Sequence, residues 1–482
     1  MFGNRAPRIA AAALTSLSLA GSAISGAPPA GATTNTVDFG VNTPALNDPH
    51  HAGGPFAPKD VAAAATDLQP GSILRITISW FRVQPQCLTA AGTDAGTRAL
   101  CQTPGPIQWD RAADGTIGGG LKSDLDAIKD KLEQGTVRLL PMIYRAPRWA
   151  WGRADVQDPD VTDPHLKSLT TDVSNLNKDN AGTTLNDDVT ATLKDPTGLV
   201  PDDSLATMPP GDDTQALGWW RHFAQATVQF LESNYGPNSV VGLEVWNEPN
   251  IKKFWSVEAS TDAKASQRYA NVLCYAFQGA RAADPQLPII YAGLAGGGTA
   301  LNDPNTPNNQ DAANFLAGSY AARSSGPDIR HCMTSVGIHP YNNIAGHGFY
   351  PPDPADGVDS PLETVMSDLG RVTAANGDAN RHVSITEFGY WPGSKSPWLN
   401  PDGTHKPVTT QEQAAWDAQA YDVVKNLPNL DMFLIYSLYD SVWAICPHPN
   451  GPPEDNPAAT ALKQAISGYP SALAACGSER AS

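Results

Sequence analysis

The sequence is 482 residues long and carries a formal net charge of −17, which excludes nucleic acid and other partners whose affinity comes from clustered Lys and Arg. Only 17% of residues are charged, while Gly and Pro number 42 each, and this predicts shaped loops on a compact scaffold rather than broad solvated helical faces. The 12 Trp are enough both to fill a core and to line an apolar ligand surface.

At the amino terminus, Arg5 and Arg8 flank the start of an apolar run from Ile9 to Ala20, and Ala30-Gly31-Ala32 offers small residues to a signal peptidase. The pattern predicts a signal peptide over 1–32. The run is short and rich in Ala and Ser for a bilayer anchor, so the mature chain is expected to be secreted and extracellular, with no membrane contact after cleavage. Residues 33–482 read as a single catalytic domain.

Short β-type runs then alternate with helical stretches along the chain. Val37 to Val41 is the first run and Ile73 to Ile78 the second; the second carries Arg75 and is followed by Trp80, a weak candidate for ligand contact. A long connection from Gln84 to Gly118 precedes the third run, Val137 to Ile143, after which come Trp149 and Trp151. The segment 145–213 is rich in Asp, Thr, Pro and Asn without a clear period, and is expected to be a long insertion forming a lid or cleft wall. The fourth run, Val240 to Val245, leads into Trp246-Asn247-Glu248-Pro249-Asn250.

Beyond it, Tyr269, Val272, Leu273, Ala276, Phe277 and Ala280 share one helical face, which predicts an outer helix packed on a sheet. The fifth run is Pro288 to Tyr291, and the sixth, Ser335 to Ile338, is followed by His339-Pro340-Tyr341. The seventh, Val383 to Ile385, leads into Thr386-Glu387-Phe388-Gly389. Thr409 and Glu412 have capping-box spacing ahead of a stripe of Trp416, Ala420, Val423, Val424 and Leu427. Met432 to Tyr436 is the eighth run, with Trp443 beyond it.

Eight strand-helix units favour closure into a (β/α)8 TIM barrel over an open doubly wound sheet, and no glycine-rich phosphate fingerprint supports the open form. The long connections follow strands rather than helices, so they gather at the C-terminal face, where such barrels keep their sites. Six cysteines in an exported chain predict disulfides; the sequential scheme joins Cys87 to Cys101, Cys274 to Cys332 and Cys446 to Cys476. No Cys/His cluster has zinc spacing, and no cofactor or metal is expected.

The two carboxylates at the ends of the fourth and seventh runs carry the chemistry. Glycosidic bond cleavage needs one protonated carboxyl to assist the leaving oxygen and one ionised carboxyl to attack the anomeric carbon. Strands four and seven stand across a barrel mouth, so Glu248 and Glu387 can face each other over a bound sugar, about 5 to 5.5 Å apart if configuration is retained. Here the chain resembles clan A of the glycoside hydrolases, nearest the β-xylosidase and α-iduronidase branch and more distantly the cellulase-like branch, through the two Glu segments, Arg75 and His339-Pro340-Tyr341. The resemblance implies that Glu248 is the acid/base, Glu387 the nucleophile and Asn247 a ligand of the hydroxyl beside the anomeric carbon, with Arg75 supporting the nucleophile.

His339 and Tyr341 are expected to bind substrate or to stand behind the residues that do. Trp149 and Trp443 are candidate sugar platforms from their place at the catalytic face. Glu244, inside the fourth strand, is expected to be an ion-pair partner within the barrel. The expected function is retaining hydrolysis of an oligosaccharide, polysaccharide or glycoside. The alternatives are a transglycosylase using the same two glutamates and a non-catalytic carbohydrate-binding protein. A metal-dependent amidohydrolase would want a His-x-His pair on the first strand, and Asp38-Phe39-Gly40-Val41-Asn42 has none.

Overall fold

The computed structural model of the chain describes residues 37–43, 58–91, 100–111, 117–147, 150, 209–211, 214–251, 254–255, 263–296, 311–324, 326–341, 361–390, 392, 408–437, 445 and 457–467. All of these fall within one compact unit, Thr36–Ser482. The expected signal at 1–32, most of the 145–213 insertion, Trp149, Trp443, Cys446 and Cys476 lie outside the described residues.

In chain order the elements are β1 (Asp38–Asn42), α1 (Pro58–Leu68), β2 (Ser72–Ser79), α2 (Trp80–Val83), β3 (Cys87–Ala91), β4 (Leu100–Pro104), α3 (Leu121–Asp126), α4 (Lys129–Glu133), β5 (Val137–Tyr144), α5 (Thr214–Tyr235), β6 (Leu243–Asn247), α6 (Ala263–Ala283), β7 (Ile289–Ala295), α7 (Ala312–Ala321), β8 (Ser335–His339), α8 (Pro361–Ala375), β9 (His382–Phe388), α9 (Thr410–Val424), β10 (Leu430–Ile435) and α10 (Pro457–Ser467). Eight strands close into a parallel barrel in the order β1-β10-β9-β8-β7-β6-β5-β2. They are the eight β-type runs of the sequence, and helices surround them.

Period-two alternation divides each strand between two surroundings. On β2, Leu74, Ile76 and Ile78 face outward and join the large core between barrel and helices. Ile73 faces inward, where it meets Leu140, Ile290, Met432 and Leu434 in a small apolar plug. Arg75, two residues past Ile73, therefore also points into the barrel, above the plug.

The outer layer follows from amphipathic helices. Tyr269, Val272, Leu273, Ala276 and Ala280 of α6 are all buried, and Gly279 lets α6 approach α5 so closely that a Cβ there would collide with the Arg221 carbonyl oxygen. The Thr409 and Glu412 capping box forms at the start of α9.

Trp80 is a correction to the sequence reading, because its indole is fully buried rather than at the mouth. Ser79 ends β2 by capping the short helix α2. This swings Trp80 outward, where it stacks on Phe223 at 5.3 Å and donates from Nε1 to Gln84 Oε1 at 2.7 Å.

The long connection after β2 is not all loop: it contains an antiparallel pair, β3 with β4. Of the expected disulfides, Cys274–Cys332 is present, tying α6 to the segment before β8. Cys87 on β3 is also disulfide-bonded; the side chain of Cys101, on the paired strand β4, lies outside the described residues. No helix among the described residues is long and apolar enough to cross a membrane.

Candidate active site

The site is built upward from a buried ion-pair core. Glu244 on β6 is fully buried and accepts three hydrogen bonds: from Arg75 Nε to Oε2 at 2.5 Å, and to Oε1 from the Gly293 amide at 2.9 Å and the Thr386 hydroxyl at 2.9 Å. It is the interior ion-pair partner its position predicts. The same guanidinium donates from Nη1 to Glu387 Oε1 at 2.5 Å and to Asn42 Oδ1 at 2.9 Å, and from Nη2 to Asn247 Oδ1 at 2.9 Å. Burial opposes the charge on Arg75, but the attraction of Glu244 and Glu387 outweighs it and holds the side chain protonated well above its ordinary range. Arg75 is thus a positioning group shared by four side chains, with its head committed to the protein.

Period two fails at the end of β6, and the failure turns the Glu248 side chain toward the mouth. Trp246 and Glu248 both have positive φ, 79° and 41°, in the region L-residues rarely adopt. Glu244 points inward and Val245 outward, but Trp246 also turns outward, packing against Trp255 at 5.5 Å and Trp220 at 6.2 Å. Asn247 and Glu248 can then both face the barrel mouth. Asn250 fixes the segment beyond them, its amide donating to the Ala295 carbonyl and accepting from the Ala295 N–H, each at 2.9 Å.

Glu387, at the end of β9, is held on both oxygens: by Arg75 on Oε1, and by the Tyr341 hydroxyl, which donates to Oε2 at 2.9 Å. Burial first, and the Glu387 charge second, keep the Tyr341 phenol protonated well above its usual range, so it remains a donor. His339 is fully buried between the two glutamates. Its Nδ1 lies 2.8 Å from Glu248 Oε1 and 3.6 Å from Glu387 Oε2, and its Nε2 lies 3.1 Å from the Thr386 hydroxyl. Room for the ring comes from Gly293, where a Cβ would collide with His339 Nε2.

Glu248, His339 and Glu387 each offer an atom within 4.8 Å of the other two. A cation could use that spacing, but it would have to displace the hydrogen bond between His339 and Glu248. Of the residues expected from sequence, Glu248, Glu387, Arg75, Asn247, His339 and Tyr341 come together, with Glu244 behind them. Asn42 and Thr386 were missed, although Asn42 also donates to the Thr386 carbonyl at 2.7 Å. Their only sequence signals were position at a strand end and adjacency to Glu387.

The fold and site define a barrel with two facing, partly buried carboxylates at its C-terminal mouth. No family model and no curated protein matches the sequence. Among solved structures, the chain is similar to a family 39 glycoside hydrolase from Bacteroides cellulosilyticus WH2, with 15% identity over 90% of this chain and 64% of that one and a TM-score of 0.42. It is also similar to a GH39 β-xylosidase from Caulobacter crescentus, with 13% identity, 90% and 71% coverage and a TM-score of 0.46. A third is a hyperthermophilic β-glucosidase from Pyrococcus furiosus, with 13% identity, 90% and 95% coverage and a TM-score of 0.45. The chain spans 64% of the length of the Bacteroides protein. Identities and superpositions at this level leave activity and substrate to be read from the site itself.

Proposed function

We propose that the protein is a secreted retaining glycoside hydrolase, with Glu387 as nucleophile and Glu248 as acid/base. The observation that carries this reading is the contrast between two carboxylates whose oxygens approach within 4.8 Å. Glu387 accepts from two donors, Arg75 on Oε1 and Tyr341 on Oε2, which hold both of its oxygens in place. Among the described residues Glu248 has the His339 ring nitrogen as its side-chain partner, a partner that can take or return a proton. A closest oxygen approach within 4.8 Å is compatible with direct attack by one carboxylate on an anomeric carbon held between them, the arrangement a retaining pair needs.

In the first step the Glu387 oxygen bonds to the anomeric carbon as the glycosidic bond breaks; its electron pair goes to the leaving oxygen, which takes the Glu248 proton. In the second, Glu248 removes a proton from water, the hydroxide oxygen attacks the anomeric carbon and Glu387 leaves. The chain is acidic, and Arg75, the cation among the described site residues, is bonded to Glu244, Glu387, Asn42 and Asn247, which fits a neutral oligosaccharide, polysaccharide or glycoside.

The test is a panel of aryl glycosides and polysaccharides with product anomers followed by proton NMR. Retention of configuration is expected. Inversion would remove the nucleophile role from Glu387. Sugar binding without turnover would favour a carbohydrate-binding protein, and turnover that rises sharply with added sugar acceptor would favour a transglycosylase.

A further inference from the structure

We infer that Thr386 is a positioning residue that fixes the tautomer of His339 and thereby leaves a proton on the Glu248 side of the site; the inference rests on the glycosidase reading of Glu248. The argument runs through the direction of each hydrogen bond. Glu244 accepts from a guanidinium on Oε2 and from a backbone amide on Oε1, so both of its oxygens serve as acceptors. The single hydroxyl hydrogen of Thr386 therefore goes to Glu244 Oε1. What Thr386 offers His339 Nε2, 3.1 Å away, is an oxygen lone pair, and Nε2 must carry the hydrogen. A neutral imidazole has one N–H, which leaves Nδ1 bare and 2.8 Å from Glu248 Oε1. Two bare acceptors do not sit at that distance, so a proton lies between them, carried by Glu248 as a carboxylic acid or shared with the ring.

The surrounding charges favour the same inventory. Nearest to His339 and Glu248 is Glu387 from β9; behind it stand Tyr341 after β8 and Arg75 from β2, both bonded to Glu387, Glu244 from β6, bonded to Arg75, and Tyr436 after β10, which acts on Tyr341. Arg75 is the one cation among them and already balances one of Glu244 and Glu387. A third ionised carboxylate at Glu248 would meet both uncompensated negative charge and a bare Nδ1. When Glu248 gives its proton to the leaving oxygen, it becomes that third carboxylate. The lone pair on Nδ1 then favours its taking a proton from the incoming water, which is the base step of the second half-reaction. Thr386 and Glu244 would thus act on both halves of the cycle without touching the sugar.

The test uses Thr386→Val, which removes the hydroxyl at nearly constant shape, and Thr386→Ser, which keeps it. In Thr386→Val, Nε2 loses its acceptor, and the ring gains by moving its hydrogen to Nδ1, where it donates to a Glu248 carboxylate. The alkaline limb of kcat/KM for natural glycosides should shift down by about one pH unit in Thr386→Val, while dinitrophenyl glycosides change little and Thr386→Ser stays near wild type. Nitrogen-15 NMR of histidine-labelled wild-type protein, with His339 assigned by its loss in His339→Gln, should report the Nε2–H tautomer. An unmoved alkaline limb in a folded Thr386→Val protein, or a neutral Nδ1–H tautomer in wild type, would overturn the inference. Absence of any glycoside turnover by wild type would instead overturn the glycosidase reading, and the tautomer measurement would still decide the state of His339.

Discussion

Gly293 packs so closely against the imidazole of His339 that even one carbon at position 293 would strike Nε2. The ring cannot yield into solvent, because it is fully buried and held at both nitrogens by Glu248 and Thr386. Gly293→Ala should lower kcat for natural glycosides by about a hundredfold through displacement of His339, and overpacking should destabilise the fold by about 1–3 kcal/mol. Thermal unfolding with initial rates checks both. A variant of unchanged activity would mean that the position of His339 is immaterial.

The two glutamates should fail in different ways. Glu387→Ala should abolish turnover of every substrate, with azide restoring some activity by attack from the vacated face and inversion of configuration. Glu248→Ala should lose roughly 10²- to 10⁴-fold on natural glycosides and far less on dinitrophenyl ones, whose leaving groups hardly need a proton, and its azide product should be retained. Azide products of the opposite stereochemistry would exchange the two roles.

Asp417 on α9 is fully buried, and neither of its oxygens has a hydrogen-bond partner among the described residues. Burial alone pushes its carboxyl well above the ordinary range. The unfolded chain titrates near pH 3.9, so the folded state binds the proton more tightly. Its contribution is fully present below about pH 4 and is lost as pH rises through the folded value, at up to about 1.4 kcal/mol per pH unit. Asp417→Asn should match wild type near pH 3.5 and unfold at a higher temperature at pH 8. Scanning calorimetry at the two pH values tests this, and an equal difference at both would show that ionisation is not the cause.

The Cys274–Cys332 bridge closes a loop with a sequence separation of 58. Chain-entropy reasoning gives it about 4 kcal/mol of stabilisation, acting mainly on the unfolded state. The double variant Cys274→Ala with Cys332→Ala should lower the denaturation midpoint by a corresponding amount and leave kcat unchanged, because the bridge lies on the helical layer away from the mouth. Urea unfolding paired with steady-state rates decides it, and a fall in kcat without a fall in stability would contradict the assignment.

Much of this architecture was legible because a barrel strand writes its surroundings into its own residues. Leu74, Ile76 and Ile78 alternate with Ile73 and Arg75, and no distant information is needed to see a strand there. Glu248 and Glu387 were legible because they stand where apolar runs stop. The hairpin β3 and β4 was not, since Cys87-Leu88-Thr89-Ala90-Ala91 and Leu100-Cys101-Gln102-Thr103-Pro104 carry no apolar alternation for a core to read. Trp80 misled because sequence gives a residue's distance from a strand end but not the turn, here capped by Ser79, that aims it. Asn42 and Thr386 were hidden for another reason: their importance lies in hydrogen bonds spanning much of the chain, such as the one between them at a separation of 344 residues, and neither residue type announces a partner that remote.

The barrel closes where β1 meets β10, in register from Asp38 with Met432 to Val41 with Ile435. The first strand therefore waits for nearly the whole chain to be made before its second edge is paired. Until then two open sheet edges, on β1 and on β9, present unsatisfied amides beside Phe39, Val41 and Ile385, the condition under which strands recruit the wrong neighbour. Sequence-distant closure of this kind is slow. Chains interrupted before residue 430 should consequently aggregate rather than persist as smaller open sheets, and yield of the folded protein should depend on how well the nascent chain is kept apart from its copies.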